Sequence, residues 1–156
     1  MKSNVSLSAY SLTITLIVVG VLAVIAVVTF GCPLEFTIIS ALLLVLLISG
    51  LLYAPSRVYA DEDHVTVKSI LRRRNIPIKD IASIERFQPT MGAYRLIGSG
   101  GFMGYWGLFR EGDIGRYHAS YGKSSQCFLL RTKDGSQYVL GCDNPDEMVE
   151  YIRSKM

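Results

Sequence analysis

Charged residues are missing from almost the whole first third of the chain. No Asp, Glu, Lys or Arg lies between Lys2 and Glu35, and none lies between Glu35 and Arg57. Each apolar stretch approaches the roughly 20 helical residues that cross a bilayer. Neither apolar core carries the intramembrane charges that are typical of channels, proton relays and transporters. We therefore predict an anchor of two transmembrane helices, at about residues 10–31 and 34–54.

Cysteine is also scarce. Cys32, Cys127 and Cys142 do not make a disulfide framework, no C-x-x-C is present, and the two histidines do not have a zinc spacing. We expect no metal site and no cofactor. Cys32 follows a glycine, as in a lipoprotein processing site, which would make it a lipidation site. The bulky Phe30 before it and Pro33 after it favour a plain turn between the two spans instead.

The positive charge of the chain is small and uneven. The net charge is +3, and a nucleic-acid-binding domain would usually be more basic and more clustered, so we expect no nucleic-acid partner. The turn between the spans has one Glu and no Lys or Arg, whereas Lys2 precedes the first span and Arg57 follows the second. The positive-inside rule then predicts cytoplasmic termini and an external turn.

From Arg57 onward the apolar residues alternate with polar ones, as in strands. We place a domain boundary at residues 55–57, with residues 1–55 as the helical hairpin and residues 57–156 as one small domain. The alternation predicts about seven short strands. A final amphipathic helix follows Asn144 and Pro145, with Glu147 completing a capping box. Such a domain forms most simply a curved sheet or open barrel with the helix at one end.

Several segments of the second part carry a family resemblance: Tyr94-Arg95, the glycine-aromatic segment Gly98 to Phe109, Gly115-Arg116-Tyr117, and Cys142 to Pro145 at the helix start. On these residues the chain resembles the bacterial pleckstrin-homology-like domains in their membrane-anchored form. The resemblance implies a seven-stranded bent barrel capped by a C-terminal helix, and it implies no catalytic residues. The expected fold is thus a transmembrane α-helical hairpin followed by a mainly-β pleckstrin-homology-like bent barrel with a C-terminal helix.

The glycine-aromatic segment has two interpretations. It matches neither a phosphate-binding loop nor a dinucleotide-binding fingerprint. In one interpretation the glycines allow tight sheet curvature and the aromatic rings are core; in the other, the rings meet lipid or a partner. We expect Trp106 to be core. We assign Gly98, Gly101, Gly104, Tyr105, Trp106 and Gly107 to the fold, and Phe102 and Met103 to a surface that contacts lipid or a partner.

The densest basic cluster consists of Lys68, Arg72, Arg73 and Arg74. Basic residues beside a bilayer attract anionic headgroups, so we expect a contact with lipid or a partner here. The alternative is a solvated strand edge that its charge keeps soluble.

These features predict a non-enzymatic, multi-pass protein of the bacterial inner membrane. Its cytoplasmic pleckstrin-homology-like domain would serve as a binding or assembly module, with the bilayer, anionic headgroups, a second copy or another membrane protein as partners. One alternative is an accessory subunit of a membrane complex that makes contact through its spans. A more distant one is a membrane-tethered enzyme that uses the glycine-rich segment, which would need a closely spaced acid, base and nucleophile. Separately, a Cys127–His118 nucleophile pair would need hydrogen-bond contact and an orienting third group.

Overall fold

The computed structural model describes residues 1–90 and 92–156. Helix α1 spans Ala9–Val28 and ends in one 3₁₀ turn, Thr29–Gly31, and helix α2 spans Pro33–Tyr53. Ser8 caps α1 by accepting a hydrogen bond from the Ser11 backbone N–H at 3.1 Å. Both helices are long and apolar enough to cross a membrane, and their most apolar windows are 0% and 6% buried, respectively. Neither is therefore the core helix of the β domain.

The first sheet has four antiparallel strands in chain order. They are β1 (Lys2–Asn4), β2 (Pro55–Ala60), β3 (His64–Ser69) and β4 (Arg73–Pro77). The second sheet has six strands in the order β5-β9-β10-β8-β7-β6. They are β5 (Ile81–Arg86), β6 (Tyr94–Gly101), β7 (Gly104–Glu111), β8 (Gly115–Tyr121), β9 (Cys127–Thr132) and β10 (Gln137–Gly141). Among the strand pairs of this sheet in the described residues, only β8–β10 is parallel.

Buried side chains form two clusters. The main core contains residues of both sheets and of helix α3 (Pro145–Arg153), where Met148 and Ile152 are fully buried. Successive strand residues point to opposite faces, so the second sheet also has an apolar back face. There Phe109, Tyr117 and Tyr121 form a smaller cluster, against which Phe87 packs.

Ten strands lie in the described residues, against about seven expected, and two of them stand where the sequence pattern did not predict a strand. Strand β1 comes before the helical hairpin, and β6 holds Gly98, Gly100 and Gly101, a composition that disfavours strands. The segment after β1 is bonded to the domain too: Val5 donates to the Ser56 carbonyl at 3.0 Å. The division into residues 1–55 and 57–156 stays a prediction about separate units. In the structure, the first sheet includes residues from both sides of the hairpin.

Candidate binding cleft

The turn between β6 and β7, residues 101–104, contacts through hydrogen bonds the end of the helical hairpin that adjoins the β domain, which we call the inner end. The hydroxyl of the fully buried Ser11 donates to the Gly101 carbonyl and accepts from the Gly104 N–H at 2.7 Å. One turn further along α1, the Thr15 hydroxyl accepts from the Met103 N–H at 2.8 Å. Buried backbone groups need such partners, so the two hydroxyl groups hold the turn against α1.

Phe102 and Met103 lie in this turn and pack on helix α2. A Cβ atom on Gly50 would overlap the Met103 sulfur and lie 3.3 Å from Phe102 Cε1. Glycine at position 50 therefore allows the close approach. Both side chains are half-buried against the protein's own hairpin. Their expected contact with lipid or a partner stays a prediction.

Gly98 and Gly107 face each other across the β6–β7 pair. Their φ angles are +118° and +119°, and a Cβ on either would lie 2.7 Å from the Cα of the other and would overlap a backbone carbonyl. Only glycine adopts this backbone and permits this approach. Gly101 and Gly104 also have positive φ angles, +146° and +98°.

Tyr105 and Trp106 point to opposite faces of the second sheet. Tyr105 stacks on Tyr121 with 4.8 Å between ring centroids and packs against the back-face cluster. Trp106 stacks on Tyr53 at the end of α2, with centroids 5.3 Å apart, and its Nε1–H donates to the Phe102 carbonyl at 3.2 Å. Trp106 is half-buried and belongs to neither buried cluster. The expectation that Trp106 is core stays a prediction; in the structure its ring packs on the helical hairpin.

A cleft of about 360 Å³ lies between the two sheets, next to the last residues of α2. Side chains of both sheets and of α2 form its walls, and most of them are apolar or aromatic. The lining includes Leu52, Tyr53, Val67, Ile97, Trp106, Leu108, His118, Tyr138 and Leu140, together with Ser69, Ser120 and the two arginines Arg72 and Arg74.

The basic cluster divides between two faces of the first sheet. Arg74 pairs in register with the buried Val67, so it lies on the inward face, whereas Arg73 pairs with Lys68 on the other face. The guanidinium of Arg74 lies 5.5 Å from the Tyr138 ring centroid, and that of Arg72 lies 5.2 Å from the Tyr53 centroid. The structure thus brings Arg72 and Arg74 together in the cleft and separates them from Lys68 and Arg73.

The cleft is cationic because its arginines have no carboxylate partner. Three ion pairs occur among the described residues, and none includes Arg72, Arg73 or Arg74. His118 also lines the cleft and stacks on Tyr138, with 5.4 Å between centroids. Burial, and secondarily the charge of Arg74, lower the pKa of His118. The two arginines therefore supply the positive charge of the cleft near neutral pH.

The loop between β3 and β4 carries a feature that the sequence reasoning missed. Ile70 and Leu71 are 53% and 65% exposed, and the Leu71 N–H donates to the Leu51 carbonyl of α2 at 3.1 Å. This bond keeps an apolar loop tip beside the helix end. The signal was two adjacent aliphatic residues between Lys68 and Arg72, in a position where turn residues are usually polar.

Cys127 and His118, the pair considered for catalysis, lie on opposite faces of the second sheet: Cys127 packs in the back-face cluster, and His118 lines the cleft. Burial raises the pKa of the Cys127 thiol above its usual range and that of Cys142 to about 11, and buried thiols of raised pKa are unreactive. The Cys127 sulfur contacts the Lys123 carbonyl at 3.1 Å. In residues 1–90 and 92–156, no group of three His, Cys, Asp or Glu side chains could hold a metal ion.

Two open sheets around a common core, with a helix at the C-terminus and two apolar helices near the N-terminus, are consistent with a pleckstrin-homology-like domain on a helical hairpin. Such domains are generally non-catalytic binding modules. The family model of the Bacterial PH domain matches residues 56–156, so the chain belongs to this family. Comparisons with curated proteins and with solved structures gave no match.

Proposed function

We propose that this chain is a non-enzymatic integral protein of the bacterial inner membrane whose cytoplasmic pleckstrin-homology-like domain is a binding or assembly module. The observation that carries the proposal is the attachment of the β6–β7 turn to Ser11 and Thr15. With the domain held at that end of the hairpin, its cleft and the loop of Ile70 and Leu71 lie where α2 ends.

The charge distribution supports the cytoplasmic orientation and the choice of partners. Lys68 and the three arginines Arg72, Arg73 and Arg74 lie 15 to 21 residues after Tyr53, where α2 ends. Each basic residue near an anionic leaflet contributes about 1 kcal/mol to the attraction. Anionic headgroups are therefore the first proposed partner, and a second copy or another membrane protein is the next.

The orientation can be tested with the native cysteines of the full chain. Cys32 is exposed in the turn between the helices, whereas Cys127 and Cys142 are buried. A membrane-impermeant maleimide should label Cys32 in intact cells with a permeabilised outer envelope, and Cys32→Ser should abolish the signal. In that background, the exposed Ser124 changed to Cys should react only after the inner membrane is opened. Labelling of Ser124→Cys in closed cells would reverse the orientation.

The binding role can be tested on full-length protein extracted with its surrounding lipid into nanodiscs. We expect anionic lipid to be enriched over the bulk membrane composition, or a second protein or copy to be retained. Changing Arg72, Arg73 and Arg74 together to Gln should reduce the lipid enrichment. A monomer surrounded by lipid of bulk composition would contradict a binding module.

The accessory-subunit alternative has an observation of its own. A Cβ on Gly20 would meet no atom within 4 Å, and Ala23 is exposed. The hairpin does not use these small residues for its own packing, and small residues favour contact with another helix. If a membrane partner binds there, Gly20→Leu with Ala23→Leu should release it, whereas the triple arginine variant should retain it.

A further inference from the structure

The position of the cleft limits which molecules can reach it. Leu52 and Tyr53 of α2 form part of its wall, and Trp106 stacks on Tyr53. If α2 spans the bilayer, as the proposed function requires, the cleft adjoins the membrane interface, where Trp and Tyr are enriched. A lipid of the adjoining leaflet is thus the nearest apolar molecule.

The shape and chemistry of the cleft suit an acyl chain. Its volume of about 360 Å³ lies within the range of small-molecule pockets, about 300–1,000 Å³. Trp106, Leu108 and Leu140 give it an apolar wall. Ile70 and Leu71 are exposed near the same helix end. There an apolar loop can enter the leaflet beside an acyl chain that leaves the leaflet for the cleft.

The charges in the cleft suit a phosphate group. Arg72 and Arg74 both line it, and each lies over an aromatic ring that orients its guanidinium. Neither takes part in an ion pair within the described residues. Guanidinium groups bind phosphate oxygens in a bidentate manner, so an anionic group would satisfy charges that the protein leaves unpaired.

We infer that the cleft takes up one acyl chain of an anionic phospholipid from the adjoining leaflet, with Arg72 and Arg74 binding the phosphate. This inference rests on the proposed membrane orientation and goes beyond surface attraction to headgroups. Attraction to a charged surface needs no cavity, and it would use Lys68 and Arg73 as much as the arginines of the cleft. An occupied cleft requires in particular the two arginines that line it, Arg72 and Arg74.

The single tryptophan of the chain is a built-in reporter, because Trp106 lines the cleft. Full-length protein is placed in nanodiscs of zwitterionic phosphatidylcholine that contain a small, varied fraction of phosphatidylglycerol with brominated acyl chains. Bromine quenches tryptophan fluorescence on contact. We expect quenching that saturates at a low fraction of the brominated anionic lipid. Brominated phosphatidylcholine at the same fractions should quench only in proportion to its amount.

Matched variants assign the effect to the cleft. Arg72→Gln with Arg74→Gln should raise the half-saturating lipid fraction at least about tenfold, since each change removes a hydrogen bond between charged groups. Arg73→Gln, one residue away on the opposite face, should leave the curve unchanged. Ser120→Phe, which fills the cleft without changing its charge, should remove the saturable component. The buried thiols of Cys127 and Cys142 should stay unreactive towards a maleimide in each variant, which shows that the variant is folded.

Three results would overturn the inference. One is proportional quenching by both lipids in the native chain, and another is an Arg73→Gln effect as large as that of the double variant. The third is a saturable signal that persists unchanged in Ser120→Phe, which would mean that the brominated chain binds outside the cleft. If anionic lipid still co-purifies in any of these cases, the proposed binding role stands and only the acyl-chain site fails.

Discussion

The end of the helical hairpin beside the domain and the opposite, outer end both carry hydroxyl residues, but their structures differ. At the outer end, Phe30 is 77% exposed and makes an edge-to-face contact with Phe36, with centroids 5.4 Å apart. The Thr29 and Thr37 hydroxyls there donate to carbonyls of their own helices, at 2.9 and 2.7 Å. At the inner end, the hydroxyl of Ser11 bonds a turn that is 90 residues away in the sequence.

The difference shows that the role of a hydroxyl residue in an apolar helix depends on which group its hydroxyl bonds. A threonine that bonds the carbonyl four residues earlier satisfies its own polarity and contributes little else. Ser11 instead satisfies two backbone groups of the β6–β7 turn in a fully buried position. The inner end thereby couples the helices to the domain, while the outer end only joins α1 to α2.

The largest expected effect on stability comes from a substitution in the β6–β7 pair, whose turn contacts the inner end of the hairpin. Gly98→Ala places a Cβ against the Trp106 carbonyl at a φ angle that alanine rarely adopts. We expect a loss of about 3 kcal/mol or more in unfolding free energy, because backbone atoms cannot move aside cheaply.

The control for Gly98→Ala is Gly112→Ala, where a Cβ would meet nothing within 4 Å; it should change stability by less than about 0.5 kcal/mol. Thermal unfolding in detergent can be followed by the reactivity of Cys127 and Cys142 after Cys32→Ser, since only these two thiols are buried. Equal melting temperatures for both glycine variants would contradict the close approach of β6 and β7.

The next effect concerns the hydroxyl groups themselves. Ser11→Ala leaves the Gly101 carbonyl and the Gly104 N–H without this partner in a buried position. We expect a cost of about 2–3 kcal/mol. Thr37→Ala at the outer end should cost less than about 0.5 kcal/mol, measured by the same thiol assay. Equal melting temperatures for Ser11→Ala and Thr37→Ala would contradict the difference between the two ends of the hairpin.

A smaller effect on stability is expected when a helix glycine is replaced by a large side chain. Gly50→Leu must displace Met103, whose flexible side chain can partly give way, so we expect a cost of about 1–2 kcal/mol. Gly20→Leu enters open space and should leave the melting temperature unchanged. A drop for Gly20→Leu as large as that for Gly50→Leu would show that α1 is packed where the structure leaves it open.

The smallest effect is the pH dependence from His118. Its pKa is lowered in the folded protein, first by burial and then by the charge of Arg74, so the unfolded chain takes up a proton more readily below about pH 6.5. Stability from this group is therefore present above that pH and is lost as the pH falls through the lower, folded value.

The measurement compares melting temperatures between about pH 7.5 and about pH 5. His118→Gln should reduce the loss on acidification, whereas His64→Gln, at an exposed position, should leave it as in the native chain. If His118→Gln loses as much stability on acidification as the native chain, His118 is not the cause of the loss.

Local patterns were enough to predict several elements. The absence of charge predicted both apolar helices, and the alternation of apolar and polar residues from Arg57 onward predicted short strands such as β2 and β3. The turn between β9 and β10 contains Asp134-Gly135, a dipeptide typical of hairpin turns, and Gly135 has a φ angle of +83° there. Pro145 does occupy the first turn of α3. These features depend on residues that are close together in the sequence, so they can be predicted from the sequence alone.

The sequence by itself therefore determined the two apolar helices, most of the strands and the C-terminal helix, because hydrophobic periodicity and turn chemistry act over a few residues. Only the tertiary structure decided that β1 joins the first sheet, that Trp106 stacks on Tyr53, and that Arg72 and Arg74 are separated from Arg73. These outcomes depend on strand register and on which sheet face meets which helix. Such contacts join residues far apart in the chain, where no local pattern specifies them.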